Sequence, residues 1–321
     1  MKIVYNGSMD TVMFKDILGA GISRLLDENP NNIYLDADLM SCIGMSKYAA
    51  AHPDRAINCG VAEANMIGVA AGLSAAGFKP IAHTFGIFAS RRVFDQVFLS
   101  AGYGNNPITV IGSDPGVTAA FNGGTHMPFE DVALYRTIPG ATIIDITDSV
   151  MLADVLTQVS DLPGVKYIRV GRKTAAKVYE AGSTFDIGRG IPLRRGKDAV
   201  IFAAGIMVHE ALQAANELAK EGVDVAVVDL FTIKPLDTEL VCRLAKTTGA
   251  VVVAENHNRI GGLCSAVCDT LAENCPTPVE CVAVENSYGE VGPQGYLQER
   301  FGLTAAQIVK KVKAVLARKG E

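Results

Sequence analysis

Compact apolar runs alternate with longer segments of helical period along nearly the whole chain, and they do so in two series. Residues 33–37, 78–84, Pro107-Ile-Thr-Val-Ile-Gly112, 141–145 and 165–170 read as short buried strands. Segments 12–26, 90–101 and 150–159, with the run after Glu63, carry helical spacing between them. Residues 171–196 then mix charges, glycines and turns, after which strands at 198–204, 223–230, 250–255 and 279–284 alternate with helices at 208–220, 237–246, 263–273 and 304–318. Such alternation implies mainly parallel sheets covered by helices on both faces. The expected fold is α/β, with two doubly wound domains at 1–185 and 186–321.

At 321 residues and 49% hydrophobic content the chain can bury a large core. A net charge of −5, with Lys and Arg scattered singly or in pairs such as Arg91-Arg92, leaves no basic footprint for nucleic acid. No apolar run reaches the roughly 20 residues of a membrane span, and no leader is evident, so a cytoplasmic protein is expected. The seven cysteines form no Cys-x-x-Cys pair. Cys264 and Cys268 could share a helix face, but without a matching His or second Cys pair they read as small apolar thiols and not as a metal site.

Glu63 opens a run rich in small residues, Gly68, Ala70, Ala71 and Gly72, which reads as a buried helix suited to close packing. An acid at that place either caps the helix or does chemistry. Phe85 and Phe88, in His83-Thr84-Phe85-Gly86-Ile87-Phe88, are either core or a flat slot for a planar heterocycle. His126 lies in a glycine-rich loop after the strand ending at Gly112, and a histidine there favours function, since open α/β sheets bind ligands at strand C-termini. The chain carries no Gly-x-x-x-x-Gly-Lys-Ser/Thr loop and no Gly-x-Gly-x-x-Gly after a strand. It also lacks the Gly-Asp-Gly motif with downstream asparagines through which thiamine enzymes hold magnesium and diphosphate.

Gly60-Val-Ala-Glu63-Ala-Asn65-Met66 through Gly72-Leu73, Thr84-Phe85-x-x-Phe88, Gly116-Val-Thr118, Gly123-x-Thr125-His126, Glu130-Asp131 and Glu255-Asn-His-Asn through Gly261-Gly-Leu263 resemble, in order and spacing, the C-terminal portion of transketolase. The resemblance covers nearly the whole chain. It implies a pyrimidine-binding domain followed by a transketolase C-terminal domain. It also implies the C-terminal subunit of a split enzyme, whose Gly-Asp-Gly motif sits on an N-terminal partner chain. Thiamine diphosphate and Mg2+ would then be shared, with diphosphate and metal held mainly by the partner in an α2β2 heterotetramer.

By the same resemblance, Glu63 hydrogen-bonds the cofactor's pyrimidine ring, Phe85 and Phe88 line its pocket and Asp38 faces it. His126 matches a histidine that touches the donor sugar's hydroxyls, and Arg172 one that holds the substrate's anionic tail. Three positions depart from the usual pattern. Asp114 stands where sugar-phosphate transketolases carry a histidine, Asn122 replaces an aspartate, and Lys15 best matches a phosphate-gripping arginine. An aspartate beside a dianionic phosphate repels it, and lysine loses the bidentate fork of arginine. The expected donor is therefore an unusual anionic ketose, such as a sulfo-sugar or a branched or deoxy-sugar phosphate, with His83 as a further donor near the pocket. The competing readings are a 2-oxoacid dehydrogenase β subunit, a 1-deoxyxylulose-phosphate synthase-like enzyme, a non-catalytic docking subunit and a nicotinamide-dependent dehydrogenase.

Overall fold

The computed structural model describes residues 2–319 and folds the two series into two sheets. Strands β1 (Asn32–Asp36), β2 (Ala56–Asn58), β3 (Lys79–Phe85), β4 (Ile108–Ser113), β5 (Thr142–Asp145) and β6 (Val165–Val170) form one parallel sheet. The second contains β7 (Ile191–Arg194), β8 (Ala199–Ala203) and β9 (Val225–Asp229). After β10 (Thr232–Lys234), it is completed by β11 (Val251–Asn258) and β12 (Val279–Val284), in the order β12-β11-β8-β9-β7. Strand β10 leaves the second series and pairs antiparallel with β5, extending the first sheet to the order β10-β5-β6-β4-β3-β1-β2. The expected boundary near residue 185 is thus crossed by a returning strand. Only three residues long, it shows no periodicity that could announce it.

The inner strands are apolar because helices cover both faces; β4, β8 and β9 are buried along their full length. The helix Phe14–Glu28 presents Phe14, Leu18, Ile22, Leu25 and Leu26 to the core and packs on the helix Ser149–Val159. Burying a Leu or Ile of this kind contributes about 1.5–3 kcal/mol. Asp148 caps the second of these helices through Met151 N–H (2.9 Å). The same side chain accepts from Val178 N–H (3.0 Å) and Tyr179 N–H (2.8 Å), anchoring the segment between the sheets.

Two expectations change in detail, and one helix stands where none is expected. The helix Glu63–Ala75 is not buried all round: Met66, Ile67, Ala70 and Ala71 face the core, while Gly68 and Gly72 face outward. Residues 90–101 wind irregularly, as a short turn at Arg91–Val93 and then a wide-turned helix at Val97–Tyr103, whose Ser100 O accepts from Asn106 Nδ2 (2.8 Å) beyond its end. The helix Gln294–Phe301 gave little sequence signal because it buries only Leu297. Among the described residues no helix is long and apolar enough to cross a membrane.

Candidate active site

The functional candidates gather where the first sheet's strands end. Strand β3 stops at Phe85, whose carbonyl accepts from Phe88 N–H and Ala89 N–H (both 2.8 Å); the tight turn puts the two phenyl rings 6.4 Å apart. The His126 ring stands edge-on to both, 5.0 Å from Phe88 and 6.1 Å from Phe85. On the far side, the Arg92 guanidinium lies 3.9 Å from the Phe88 centroid, a cation–π distance, and its Nη1 donates to Glu63 Oε1 (2.6 Å). Glu63 is 3% exposed. Its bond runs to Arg92 and not to a helix N–H, so the carboxylate is turned toward the aromatic rings' neighbourhood and away from its own backbone. A buried acid beside half-buried aromatic faces suits a flat, hydrogen-bonding heterocycle.

Asp38 lies on the same edge, exposed, at φ 64°. Asn58 Nδ2 donates to its carboxylate (3.0 Å), and Asn58 Oδ1 accepts from the N–H groups of Asp38 (3.1 Å) and Gly60 (2.9 Å), which ties the β1 and β2 ends to the Glu63 turn. His83 lies elsewhere than expected. It is fully buried inside the sheet, with Nδ1 against Asp36 (2.8 Å) and Nε2 against Ser113 Oγ (3.1 Å), while Tyr34 also donates to Asp36 (2.5 Å). Both ring nitrogens are occupied, so His83 braces β1, β3 and β4 and does not face a substrate. Strand alternation could place it inward but could not reveal the polar partners that make burial tolerable.

Of the positions that departed from the family pattern, Asp114 forms an ion pair with Arg172. Arg172 Nε (2.7 Å) and Nη2 (2.5 Å) both donate to Asp114 Oδ2, and the guanidinium stands 4.8 Å from the Phe85 centroid. Burial opposes the charge of Arg172, but the hydrogen bond and charge of Asp114 prevail and raise it above its ordinary value. Asp114 is itself buried at φ 55°. Lys15 starts the first helix beside them, its N–H donating to Arg172 O (3.1 Å). Asn122 stands exposed four residues before His126. A cavity of about 210 Å³ opens from this pair between the domains, lined by Thr118, Lys173, His209 and Gln298 among others.

The second domain reaches the site through residues that the sequence marked only by resemblance. Asn256, at the end of β11, accepts from Val117 N–H (3.0 Å) and donates to Pro115 O (2.9 Å), clasping the loop that follows Asp114. Gly116 sits in that clasp at φ 53°, and a Cβ there would collide with the Asn256 side chain. Arg169 locks the same joint, donating to Asn256 O (2.9 Å), Asp131 (2.7 Å) and Asp145 (2.5 Å) with 1% of its side chain exposed. His257 is buried and driven down to about 4, first by burial. It is therefore neutral, its Nε2 accepting from Ala133 N–H (3.4 Å).

Fold and edge together define a two-domain α/β protein with its candidate site on the first sheet. Family models for the transketolase pyrimidine-binding domain and the transketolase C-terminal domain match residues 10–176 and 188–308. The chain is 49% identical over 287 residues to the 6-deoxy-6-sulfo-D-fructose transketolase subunit SqwH of Clostridium sp. (strain MSTE9), covering 89% of each. It is 33% identical over 297 residues to a putative transketolase C-terminal section of Methanocaldococcus jannaschii, covering 92% of this chain and 93% of that one. A solved structure described as "Split gene transketolase, inactive beta4 tetramer" superposes with a TM-score of 0.89 at 38% identity, covering 96% of this chain and 99% of its own. The chain belongs to the transketolase family, as the C-terminal subunit of a split enzyme that works with a partner subunit.

Proposed function

We propose that this chain, in a cytoplasmic α2β2 assembly with a diphosphate-binding partner, transfers a two-carbon ketol unit from a sulfonate-terminated ketose of the 6-deoxy-6-sulfofructose kind to an aldose. The observation that carries the choice of donor is the Asp114–Arg172 pair. A phosphate monoester approaches a charge of −2 near pH 7, whereas a sulfonate keeps one. Arg172 already commits Nε and Nη2 to Asp114, so the pair offers little net positive charge and a dianion would meet Asp114's repulsion. A monoanion can use the remaining Nη1 side, with the Lys15 helix start close by. The 49% identity to a sulfofructose transketolase subunit supports the same choice.

Glu63, Phe85 and Phe88 fit the pyrimidine of thiamine diphosphate by their chemistry: one buried acid and two aromatic faces. When bound, the cofactor supplies stabilisation of a carbanion next to the sugar carbonyl. Glu63, its carboxylate steadied by Arg92, is the hydrogen-bond partner for the ring edge, Phe85 and Phe88 exclude water, and Asp38 faces the cofactor from the Asn58 turn. His126, edge-on to both rings, orients the donor hydroxyls and can pass a proton to or from them. The diphosphate and Mg2+ are assigned to the partner, since this chain carries no Gly-Asp-Gly motif.

The test is steady-state kinetics of the reconstituted two-chain enzyme with 6-deoxy-6-sulfofructose, fructose 6-phosphate and xylulose 5-phosphate. A kcat/KM at least about tenfold higher for the sulfonate is expected, equivalent to about 1.4 kcal/mol. A preference for xylulose 5-phosphate overturns the donor assignment, and absence of ketol transfer from every ketose overturns the activity.

A further inference from the structure

The second domain also holds a thiol cluster. Cys264 lies in the first turn of the helix Leu263–Asn274, Cys268 one turn further on, and Cys281 on β12. Their sulfurs all lie within 4.8 Å of one another. Cys264 and Cys281 form a disulfide, with Cα atoms 6.3 Å apart, inside the usual span for such a bond. This corrects the expectation of unpaired thiols. A separation of 17 residues across a helix and a strand gives no spacing signal for it. The two bonded cysteines are buried, at 3% and 5% exposure, while Cys268 is partly exposed and free.

We propose that Cys264, Cys268 and Cys281 form a thiol–disulfide exchange site for a low-molecular-weight thiol of the glutathione class, with Cys268 as its solvent-facing entry. An external thiol cannot reach the buried Cys264–Cys281 bond directly, because exchange needs approach along the S–S axis. The Cys268 thiolate can. Its attack on Cys281 Sγ forms a Cys268–Cys281 bond and releases the Cys264 thiolate, which takes a proton. An external thiolate then attacks the Cys268 sulfur, giving a mixed disulfide on Cys268 and releasing Cys281 as a thiolate. A second external thiolate cleaves that mixed disulfide. In sum, two molecules of thiol are oxidised to their disulfide, and the protein bond is reduced to two thiols. The reverse sequence forms the protein bond from the external disulfide. The consequence is a staple between helix and β12 that small thiols can open and close without unfolding the domain. Burial raises the Cys268 thiol above its ordinary range and Asp269 adds to this, so the attacking thiolate is a minor species near neutral pH and exchange should quicken as pH rises.

The experiment uses the full chain with its partner, oxidised and then treated with reduced glutathione, quenched with acid, alkylated and mapped by peptide mass spectrometry. The wild type should lose the Cys264–Cys281 linkage and pass through a trapped Cys268–Cys281 species. Cys268→Ser and Cys268→Ala should slow the loss at least about tenfold while thermal melting of the oxidised proteins stays unchanged. Unchanged reduction rates in both variants would overturn the proposal. So would a linkage that never forms under glutathione disulfide, or a tightly bound zinc ion found on the purified chain that Cys268→Ser removes, which would make the trio a metal site.

Discussion

The C-terminal edges of the two sheets arise from the same strand–helix alternation yet end in opposite chemistry. At the first edge Glu63, Asp38, His126 and Arg172 are held by a few contacts each, and Asp38, His126 and Arg172 keep some exposure. At the second edge the polar groups are consumed. Glu255 accepts from Leu263 N–H (2.7 Å) and Cys264 N–H (2.9 Å), and Asn256 and His257 bond across to the first domain. Motif residues of equal polarity therefore divide by whether their hydrogen-bonding capacity is already filled within the fold. On the proposed function, one edge reacts and the other holds it in register.

The largest effect should come from the reacting edge. Glu63→Gln removes the carboxylate while keeping its shape, and turnover of the two-chain enzyme should fall by about 10²–10⁴-fold with unchanged circular dichroism. Retained turnover would remove Glu63 from the mechanism. The holding edge is tested next by Asn256→Ala, which leaves Val117 N–H without its partner and removes one of the donors to Pro115 O. A loss of about 1–3 kcal/mol in stability is expected by denaturant titration, because a buried group left unpaired keeps its desolvation cost. A fall in kcat/KM should accompany it as the loop after Asp114 loosens. If activity is untouched while stability falls, the two edges are independent and the contrast between them fails.

A smaller effect tests the tail. Asp114→Asn removes the negative partner of Arg172, so relative preference should move toward phosphate donors by about tenfold, roughly 1.4 kcal/mol. Competition between a sulfonate and a phosphate ketose would read it, and an unchanged ratio would separate Asp114 from donor choice.

The smallest concerns pH. Asp229 is raised to about 7, first by burial, with Thr147 (2.6 Å) and Tyr179 (2.7 Å) donating to one oxygen. The folded state therefore keeps a proton that the unfolded chain releases near its ordinary value of 3.8. Stability contributed by this group should decline as pH rises from there to about 7 and then level off. Asp229→Asn should flatten that slope in denaturant titrations across the window.

Much of the fold is legible in the sequence alone, and the candidate site is legible through the order of its motif residues. The buried strands are continuous apolar runs, and the order of Glu63, Phe85, Phe88, His126 and Arg172 along the chain is the order in which strand ends present them. What stays hidden depends on partners distant in sequence. His83 looks like a pocket donor because nothing local discloses Asp36 and Ser113 on neighbouring strands. Asp114 looks like a liability as long as Arg172 is not placed against it. Strand β10 is too short to show a period, and the Cys264–Cys281 bond joins elements whose adjacency only the second sheet creates.

The most direct measurement is turnover in a titration of this chain against its partner, with thiamine diphosphate and Mg2+ present or withheld. Neither chain alone should transfer ketol units, and activity should rise to a plateau at a one-to-one ratio and vanish without the cofactor. Turnover by this chain alone, or by the mixture without thiamine diphosphate, would contradict a reacting edge that is completed by a second chain.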